Sequence, residues 1–182
     1  MQVCVTLLCA AAVFLPSIYA QMPMNLTFSP WQVMGPVNTN GTGYAILTYV
    51  GGELDYEFHL FDVRGLQSIE LHVGKPSEHG DVATVFYKTP FANVSQVSSG
   101  RVAAGTLTNY DLLGPFLLPL GEHLEVALVY EGYVSQGFAT VVVHTLVNPG
   151  GELAAYPSSM NSSAPMSGPG PMDMGMTGMS MP

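Results

Sequence analysis

The side chains in this sequence best suited to binding a transition metal are its five histidines, His59, His72, His79, His123 and His144. Residues i and i+2 of a β-strand point to the same face, so Glu70 and His72 share a face if their segment is extended. His79 follows in the next loop, and His144 ends a later apolar segment. If these two segments are neighbouring strands, three imidazoles and one carboxylate converge, and His59 could join them from its own strand. Neutral imidazoles with a carboxylate suit copper or zinc better than calcium.

A second interpretation gives the histidines a structural role. A single histidine on a strand is more often hydrogen-bonded within the protein than bound to a metal. This interpretation predicts that His72 and His144 are buried and bonded to backbone groups. The sequence contains no Gly-x-Ser-x-Gly nucleophile elbow and no phosphate-binding glycine loop, and we assign no catalytic residue.

Five methionines near the end of the chain form a second set of candidate ligands: Met172, Met174, Met176, Met179 and Met181. Their M-x-M-x-M-x-x-M-x-M spacing is similar to the methionine motifs of extracellular copper-transporter tails, and thioether sulfur is a soft ligand suited to Cu(I). The segment 157–182 is otherwise rich in Pro, Ser, Gly and Asn and is predicted to be disordered. Drift of composition in such a tail, or a role as a sink for oxidants, would also account for the methionines.

The elements that must position the histidines are predicted to be β-strands. Short runs of β-forming residues separated by Gly, Pro and Asn predict an all-β domain, an antiparallel sandwich of about seven or eight strands. In the segment 53–61, Leu54 and Phe58 alternate with Asp55, Glu57 and His59, so one face should be buried and the other wet. The segment 66–73 alternates in the same way. Further strands, with apolar residues on both faces, are expected at 44–50, 82–87, 124–130 and 140–146.

Residues 1–20 are expected to be a secretory signal peptide. The segment 3–15 is apolar without a charged side chain, and Pro16, Ser17 and Ala20 follow it, with cleavage expected after Ala20. This apolar core is too short to cross a bilayer. The two cysteines, Cys4 and Cys9, lie inside it, so the exported chain would carry no disulfide and no thiolate ligand. The next segment, 21–42, is expected to be partly ordered, because Trp31 and Val33 suggest a first strand among prolines and an Asn-Gly pair.

Four acceptor sequences for N-glycosylation agree with export: Asn25, Asn40, Asn93 and Asn161. No second apolar stretch has the length of a membrane span, and the chain lacks the hydrophobic tail that lipid-anchor attachment requires. The 13 acidic and 4 basic residues give a net charge of −9, which argues against nucleic acid as a partner. The expected location is therefore extracellular, in the medium, a wall or a matrix.

Three stretches resemble the chordin-type or CHRD domain, which occurs in the animal inhibitor chordin and in many microbial secreted proteins. The segment 141–153, VVVHTLVNPGGEL, resembles the family's closing motif, a strand ending in Val-His-Thr followed by Asn-Pro-Gly-Gly-Glu and a last strand. The segment 66–87, LQSIELHVGKPSEHGDVATVFY, resembles its His-x-His strand, glycine-containing loop and Val-rich strand. The segment 105–115, GTLTNYDLLGP, resembles its Gly, Leu-Thr, Asp-Leu and Gly-Pro stretch. Together they cover about residues 43–156.

The chain departs from this family pattern at two places. Glu70-Leu71-His72 stands where His-x-His is usual, and the last strand reads Gly-Glu-Leu-Ala-Ala instead of Gly-Glu-Ile-Arg-Gly. The resemblance implies a Greek-key β-sandwich similar to that of Cu/Zn superoxide dismutase, without implying an activity. In that architecture copper is held by a histidine pair on one strand, a loop histidine and a histidine near the end of a late strand, and His72, His79 and His144 echo this plan.

We therefore expect an extracellular CHRD-domain protein that binds copper, or alternatively zinc, through His72, His144, His79, His59 and Glu70, with Cu(I) also bound by the methionine tail. The alternative is a metal-free module that interacts with extracellular proteins, a matrix or a cell wall. A copper-dependent redox enzyme is the third hypothesis. The dismutase reaction itself is disfavoured, because the paired histidines and the cysteine bridge of such enzymes are missing.

Overall fold

The computed structural model describes residues 23–75, 78–113 and 125–157. Within these residues the chain forms eight β-strands: β1 (Met24–Pro30), β2 (Thr42–Val50), β3 (Glu53–Arg64), β4 (Leu66–Val73), β5 (Asp81–Lys88), β6 (Val97–Leu107), β7 (Ala139–Thr145) and β8 (Leu153–Ala155). The described part of the connection between β6 and β7 contains three short helical segments: a 3₁₀ turn at Asn109–Asp111, α1 at Val126–Val129 and a π-helical turn at Tyr130–Val134.

The strands form one antiparallel sheet in the order β5-β4-β7-β8-β1-β2-β3-β6. Strand β1 joins the two parts of this sheet, because residues 24–28 pair with β2 whereas Ser29 and Pro30 pair with β8. We call β1, β2, β3 and β6 the His59 half, and β4, β5, β7 and β8 the His72 half. The strand pairs β3–β6, β4–β7 and β1–β8 join strands that are not consecutive in the chain.

The two halves enclose a single main core. Phe58 from the His59 half and Ile69 and Val141 from the His72 half are fully buried in the same cluster. A hydrogen bond also joins the two halves directly: the hydroxyl of Tyr56 on β3 donates to the carbonyl of Phe86 on β5 over 3.1 Å. The chain is therefore all-β and antiparallel, with the sheet folded over one core as in a β-sandwich.

The alternation in 53–61 and 66–73 predicts the faces of β3 and β4 correctly. Leu54 and Phe58 are buried and Asp55 is exposed on β3, and on β4 Ile69 points into the core while His72 points away from it. The outer face of β4 is not exposed to solvent, however. His72 is only 2% exposed, because the loop after β4 and the segment after β1 cover that face.

The strand expected at 124–130 is wrong. The described part of that segment forms α1 and the π-helical turn. Val126, Val129, Tyr130 and Val134 are buried while Leu128 is exposed, which is the i, i+3, i+4, i+8 spacing of one helix face. The side-chain oxygen of Asn109 accepts the backbone N–H of Val126 over 2.8 Å and so satisfies a free donor at the helix start. The β-branched residues of this segment favoured a strand, whereas the helical spacing of its apolar residues indicated the structure that forms.

The first strand lies earlier than Trp31 and Val33 suggest. Leu26 and Phe28 on β1 point into the core, and Pro30, which has no N–H to donate, ends the strand. Trp31 follows, and its backbone N–H donates to the backbone carbonyl of Glu152 over 2.9 Å, while its ring is buried against Val142. Residues 24–30, in the segment before residue 43, are thus an integral part of the sheet.

Several sequence predictions concern residues outside the described ranges. These are the signal peptide at 1–20 with Cys4 and Cys9, the disordered tail beyond Pro157, and the side chains His123, Asn161, Met172, Met174, Met176, Met179 and Met181.

Candidate metal centre

Strands β4 and β7 bring the candidate ligands together, because they pair directly in the His72 half. In their register His144 lies opposite Ser68, which is followed on the same face of β4 by Glu70 and then by His72. The carboxylate of Glu70 therefore lies between two imidazoles that are far apart in sequence. This pairing is the arrangement that the sequence analysis required for the histidines to meet.

The ligand atoms of these three residues converge on one point. Nε2 of His72 and Nε2 of His144 are 3.4 Å apart, and Oε2 of Glu70 lies 3.5 Å from the first and 3.6 Å from the second. His72 is 2% and His144 is 8% exposed. Among the described residues, Glu70, His72 and His144 are the one group of three His, Cys, Asp or Glu side chains whose ligand atoms all lie within 4.8 Å of one another.

Backbone carbonyls fix the orientation of both imidazoles. Nδ1 of His72 donates to the carbonyl of Gly80 over 2.9 Å, and Nδ1 of His144 donates to the carbonyl of Pro149 over 3.0 Å. A neutral imidazole has one N–H, so in the neutral form of each ring these bonds leave Nε2 with a free lone pair. Two imidazole lone pairs and a carboxylate then face each other, and such a cluster needs a proton or a metal cation at its centre.

The carboxyl group of Glu70 is held in its ionised form. The hydrogen bond with His72 is the largest of the causes that lower the pKa of Glu70 from 4.5 to about 2. Burial acts in the opposite direction, while the hydroxyl of Ser68, which donates to Oε1 over 2.6 Å, and the charge of His144 lower the pKa further. Glu70 is therefore an anionic ligand over the whole physiological pH range.

His79 lies beside the centre without joining the close cluster. The centre of its ring is 4.6 Å from that of His72 and 6.5 Å from that of His144. Partial desolvation lowers the pKa of His79, and the neighbouring His72 and His144 lower it further. His79 is thus a neutral imidazole on an exposed loop, next to two buried ones, and its other neighbour is the ring of Trp31 at 6.3 Å.

The loop between β7 and β8 holds His144 through a network centred on Glu152. This buried carboxylate accepts hydrogen bonds from the hydroxyls of Thr39 and Thr145 and from the side-chain amide of Asn148. Asn148 directly precedes Pro149, whose carbonyl orients His144. This role of Glu152 was not predicted from the sequence, although the Asn-Pro-Gly-Gly-Glu motif in which it lies was the available signal.

A surface cleft gives access to the centre. Glu70 and His144 line a cleft of about 430 Å³ together with Ser68, Lys88, Thr89 and Pro149. A small ion could therefore reach the carboxylate and the second imidazole from solvent without opening of the sheet. His72, which is more deeply buried, lies behind them.

The structure does not bring His59 to this centre. Nε2 of His59 lies 2.6 Å from Oε1 of Glu57, and its ring stacks on Tyr44 at 4.5 Å in the other half of the sheet. The described glycosylation acceptors Asn25, Asn40 and Asn93 are all exposed.

The CHRD domain family matches residues 24–156, and the chain belongs to this family. The match begins before residue 43, in agreement with the place of β1 in the sheet. No curated protein and no solved structure matches the chain. CHRD domains are typically extracellular, and no helix in the described ranges has the length and apolar character needed to cross a membrane.

Proposed function

We propose that this protein is an extracellular CHRD-domain protein that binds a copper ion at Glu70, His72 and His144. The observation that carries the proposal is the convergence of two imidazole Nε2 atoms and one carboxylate oxygen in a nearly buried position. The proposal includes export by the signal peptide and capture of Cu(I) by the methionine tail.

The spacing of the ligand atoms supports this proposal. Ligands about 2.0–2.1 Å from a tetrahedral ion are about 3.3–3.4 Å from each other. The three separations here are 3.4, 3.5 and 3.6 Å. A metal ion at the centre would therefore need only small movements of side chains that are already oriented by backbone carbonyls. His79 is close enough to supply a fourth ligand after a rotation of its exposed side chain.

The donor set narrows the choice of metal. Two imidazoles and a carboxylate suit Cu(II) and Zn(II), and the same set with open positions also binds Fe(II) in oxygenases. Copper is the strongest binder of these in the general affinity order of divalent metals, and methionine thioethers in the tail would add a soft site for Cu(I). Zinc is the alternative occupant of the histidine centre.

The decisive experiment is metal binding by purified protein and three single variants. We expect one Cu(II) per chain at the centre, with at least a 100-fold loss of affinity in His72→Ala and in His144→Ala. His59→Ala is the matched control, because it removes a histidine beside a glutamate in the other half. Calorimetric titration and metal analysis, with Zn(II) and Fe(II) as competitors, measure the result. Equal loss in all three variants, or no binding by the wild type, would contradict the proposal.

The tail is tested separately from the centre. Deletion of residues 158–182 should abolish Cu(I) binding in the presence of a competing chelator and leave the Cu(II) site intact. Unchanged Cu(I) binding would show that the methionines have no role in copper capture.

A metal-free extracellular interaction module is the second candidate, and one observation favours it. His72 and His144 are buried and each bonds a backbone carbonyl, as a structural role predicts. In that case a proton shared between the two Nε2 atoms would satisfy the cluster. The metal titration distinguishes the two candidates, since this second function predicts no stoichiometric metal and an unchanged domain after chelation.

A copper-dependent redox enzyme and a Greek-key topology of the superoxide dismutase type are finer forms of the same proposal. The cleft beside Glu70 and His144 supports the first, because it gives small molecules access to the centre. The non-consecutive pairs β3–β6, β4–β7 and β1–β8 support the second. Turnover of superoxide or peroxide by the copper-loaded protein tests the enzyme hypothesis, with His144→Ala as the inactive control.

A further inference from the structure

The outer face of the His59 half carries an exposed tyrosine ring with one face open. Tyr44 on β2 and His59 on β3 are directly opposite in the register, and their rings are parallel to within 9° with centres 4.5 Å apart. The imidazole therefore covers one face of the tyrosine ring. Tyr44 nevertheless remains 41% exposed. Because His59 lies on the β3 side, the open ring face is directed along the sheet towards β1.

Asn25 lies on β1 beside this open face. Asn25 is opposite Ile46 and Thr27 is opposite Tyr44, so Asn25 is a diagonal neighbour of Tyr44 on the same outer face. Diagonal neighbours in an antiparallel pair are about 7–8 Å apart, which is within reach of a long side chain. Asn25 and Thr27 are both exposed, and Asn25-Leu26-Thr27 is an acceptor sequence for N-glycosylation.

We propose that Asn25 carries an N-linked glycan whose first N-acetylglucosamine packs on the open face of Tyr44. One side of a sugar ring presents C–H groups with partial positive charge, and the face of an aromatic ring is negative, so the two attract. Attachment to the amide nitrogen extends the asparagine side chain by a whole sugar ring, which spans the diagonal distance.

The chemistry at this surface suits a neutral sugar. The net charge of −9 disfavours an acidic saccharide at the same place.

Asn40 is a natural control for this proposal. It lies on the loop before β2 and lines a polar cleft with Asn38, Thr39, Asp62, Arg64 and Glu152, and no aromatic ring lines that cleft. A glycan at Asn40 would extend over polar groups and the small side chain of Val147, without an aromatic ring to stack on. Loss of that glycan should therefore have little effect on stability.

The test uses the protein exported from a glycosylating eukaryotic host. Peptide mass mapping first measures occupancy, and we expect Asn25 to be modified. Thermal unfolding then compares Asn25→Gln with Asn40→Gln, each in the wild type and in a Tyr44→Ala background. Asn25→Gln should lower the Tm by a few degrees in the wild type and have no effect in Tyr44→Ala, whereas Asn40→Gln should have almost no effect in either.

A second measurement does not depend on the folding of any variant. The ring current of Tyr44 should shift protons of the first sugar upfield in the NMR spectrum of the intact glycoprotein. An unmodified Asn25, an equal loss of stability in the Tyr44→Ala background, or sugar protons at their usual positions would overturn the proposal.

This inference depends on export, which belongs to the proposed function, but it does not depend on the metal. Copper titration of the same preparation tests the metal site independently of the glycan. Asn25→Gln should bind copper like the wild type, so either hypothesis can fail while the other stands.

Discussion

The two halves of the sheet carry the same three-residue pattern with opposite outcomes. Glu57-Phe58-His59 lies on β3 and Glu70-Leu71-His72 lies on β4, each with its apolar residue in the core. On β3 the glutamate and histidine bond each other at 2.6 Å, with 38% and 19% of their side chains exposed. On β4 the histidine is 3% exposed in its side chain and faces a second histidine.

The neighbouring strand and the cover above the sheet make this difference. Next to His59 the register places Tyr44, whose ring stacks on the imidazole and adds no second imidazole or carboxylate. Next to Glu70, β7 places His144, and the loops after β4 and β7 supply carbonyls that hold both rings. The comparison teaches that Glu-x-His on a strand becomes a candidate metal site where a neighbouring strand adds a ligand and loops cover and orient the histidines.

The largest expected effect comes from disrupting the cover of the His72 half at Gly151. Its φ is +121°, and a Cβ there would overlap Cδ1 of Trp31 and lie 2.8 Å from Cγ1 of Val142. Gly151→Ala should therefore lower the free energy of unfolding by about 3 kcal/mol or more. Gly100→Ala in the His59 half is the control, since φ is +103° and the space is open, and backbone strain alone should cost about 1–2 kcal/mol. Urea denaturation measures both, and equal losses would refute the steric account.

The next effect concerns Glu152, which supports the loop that orients His144. Three donors point at its carboxylate, so Glu152→Gln places an N–H₂ group against at least one of them. We expect a loss of about 1–3 kcal/mol in the free energy of unfolding and about a tenfold loss of metal affinity. Denaturation and calorimetric titration are the measurements. A destabilised variant with unchanged metal affinity would show that the hydrogen bonds of Glu152 stabilise the fold without affecting the metal site.

A third effect is a pH dependence of the metal-free protein through Glu70. The pKa of Glu70 is lowered from 4.5 to about 2 on folding, so its ionised form stabilises the fold above pH 4.5. This contribution is lost as the pH falls from 4.5 towards about 2. The difference in unfolding free energy between wild type and Glu70→Gln should therefore be constant near neutral pH and shrink in that acidic window. A difference of the same size at pH 2 would contradict the assignment of this pH dependence to the carboxylate of Glu70.

The smallest effect is expected at the corresponding residue of the other half. Glu57 pairs with His59 and approaches Arg101 on an accessible surface, where ion pairs contribute about 0–1 kcal/mol. Glu57→Gln should change the free energy of unfolding by less than about 0.5 kcal/mol and leave copper affinity unchanged. Urea denaturation at low and high salt checks the first part. If Glu57→Gln lowered the free energy of unfolding as much as Glu152→Gln does, the proposed difference between the exposed His59 half and the covered His72 half would be wrong.

Much of the fold follows from the sequence, because strand periodicity is a local property. The alternation around Phe58 and Ile69 predicts which side chains enter the core, and the three CHRD-like stretches predict the family. The helix at Val126–Val129 was mistaken for a strand because its β-branched residues were given more weight than their helical spacing. The position of β1 was misplaced because Trp31 is buried by a loop and not by a strand.

The candidate site is only partly predictable, because convergence depends on register. That Glu70 and His72 share a face follows from their two-residue spacing alone. That His144 joins them, and that His59 does not, is decided by the pairing of β4 with β7 and of β3 with β2. The sequence by itself determined a strand pattern and a set of ligand types. The tertiary structure decided which of the two Glu-x-His motifs meets a second imidazole in a nearly buried position, since sheet register and loop cover are set by contacts between residues far apart in the chain.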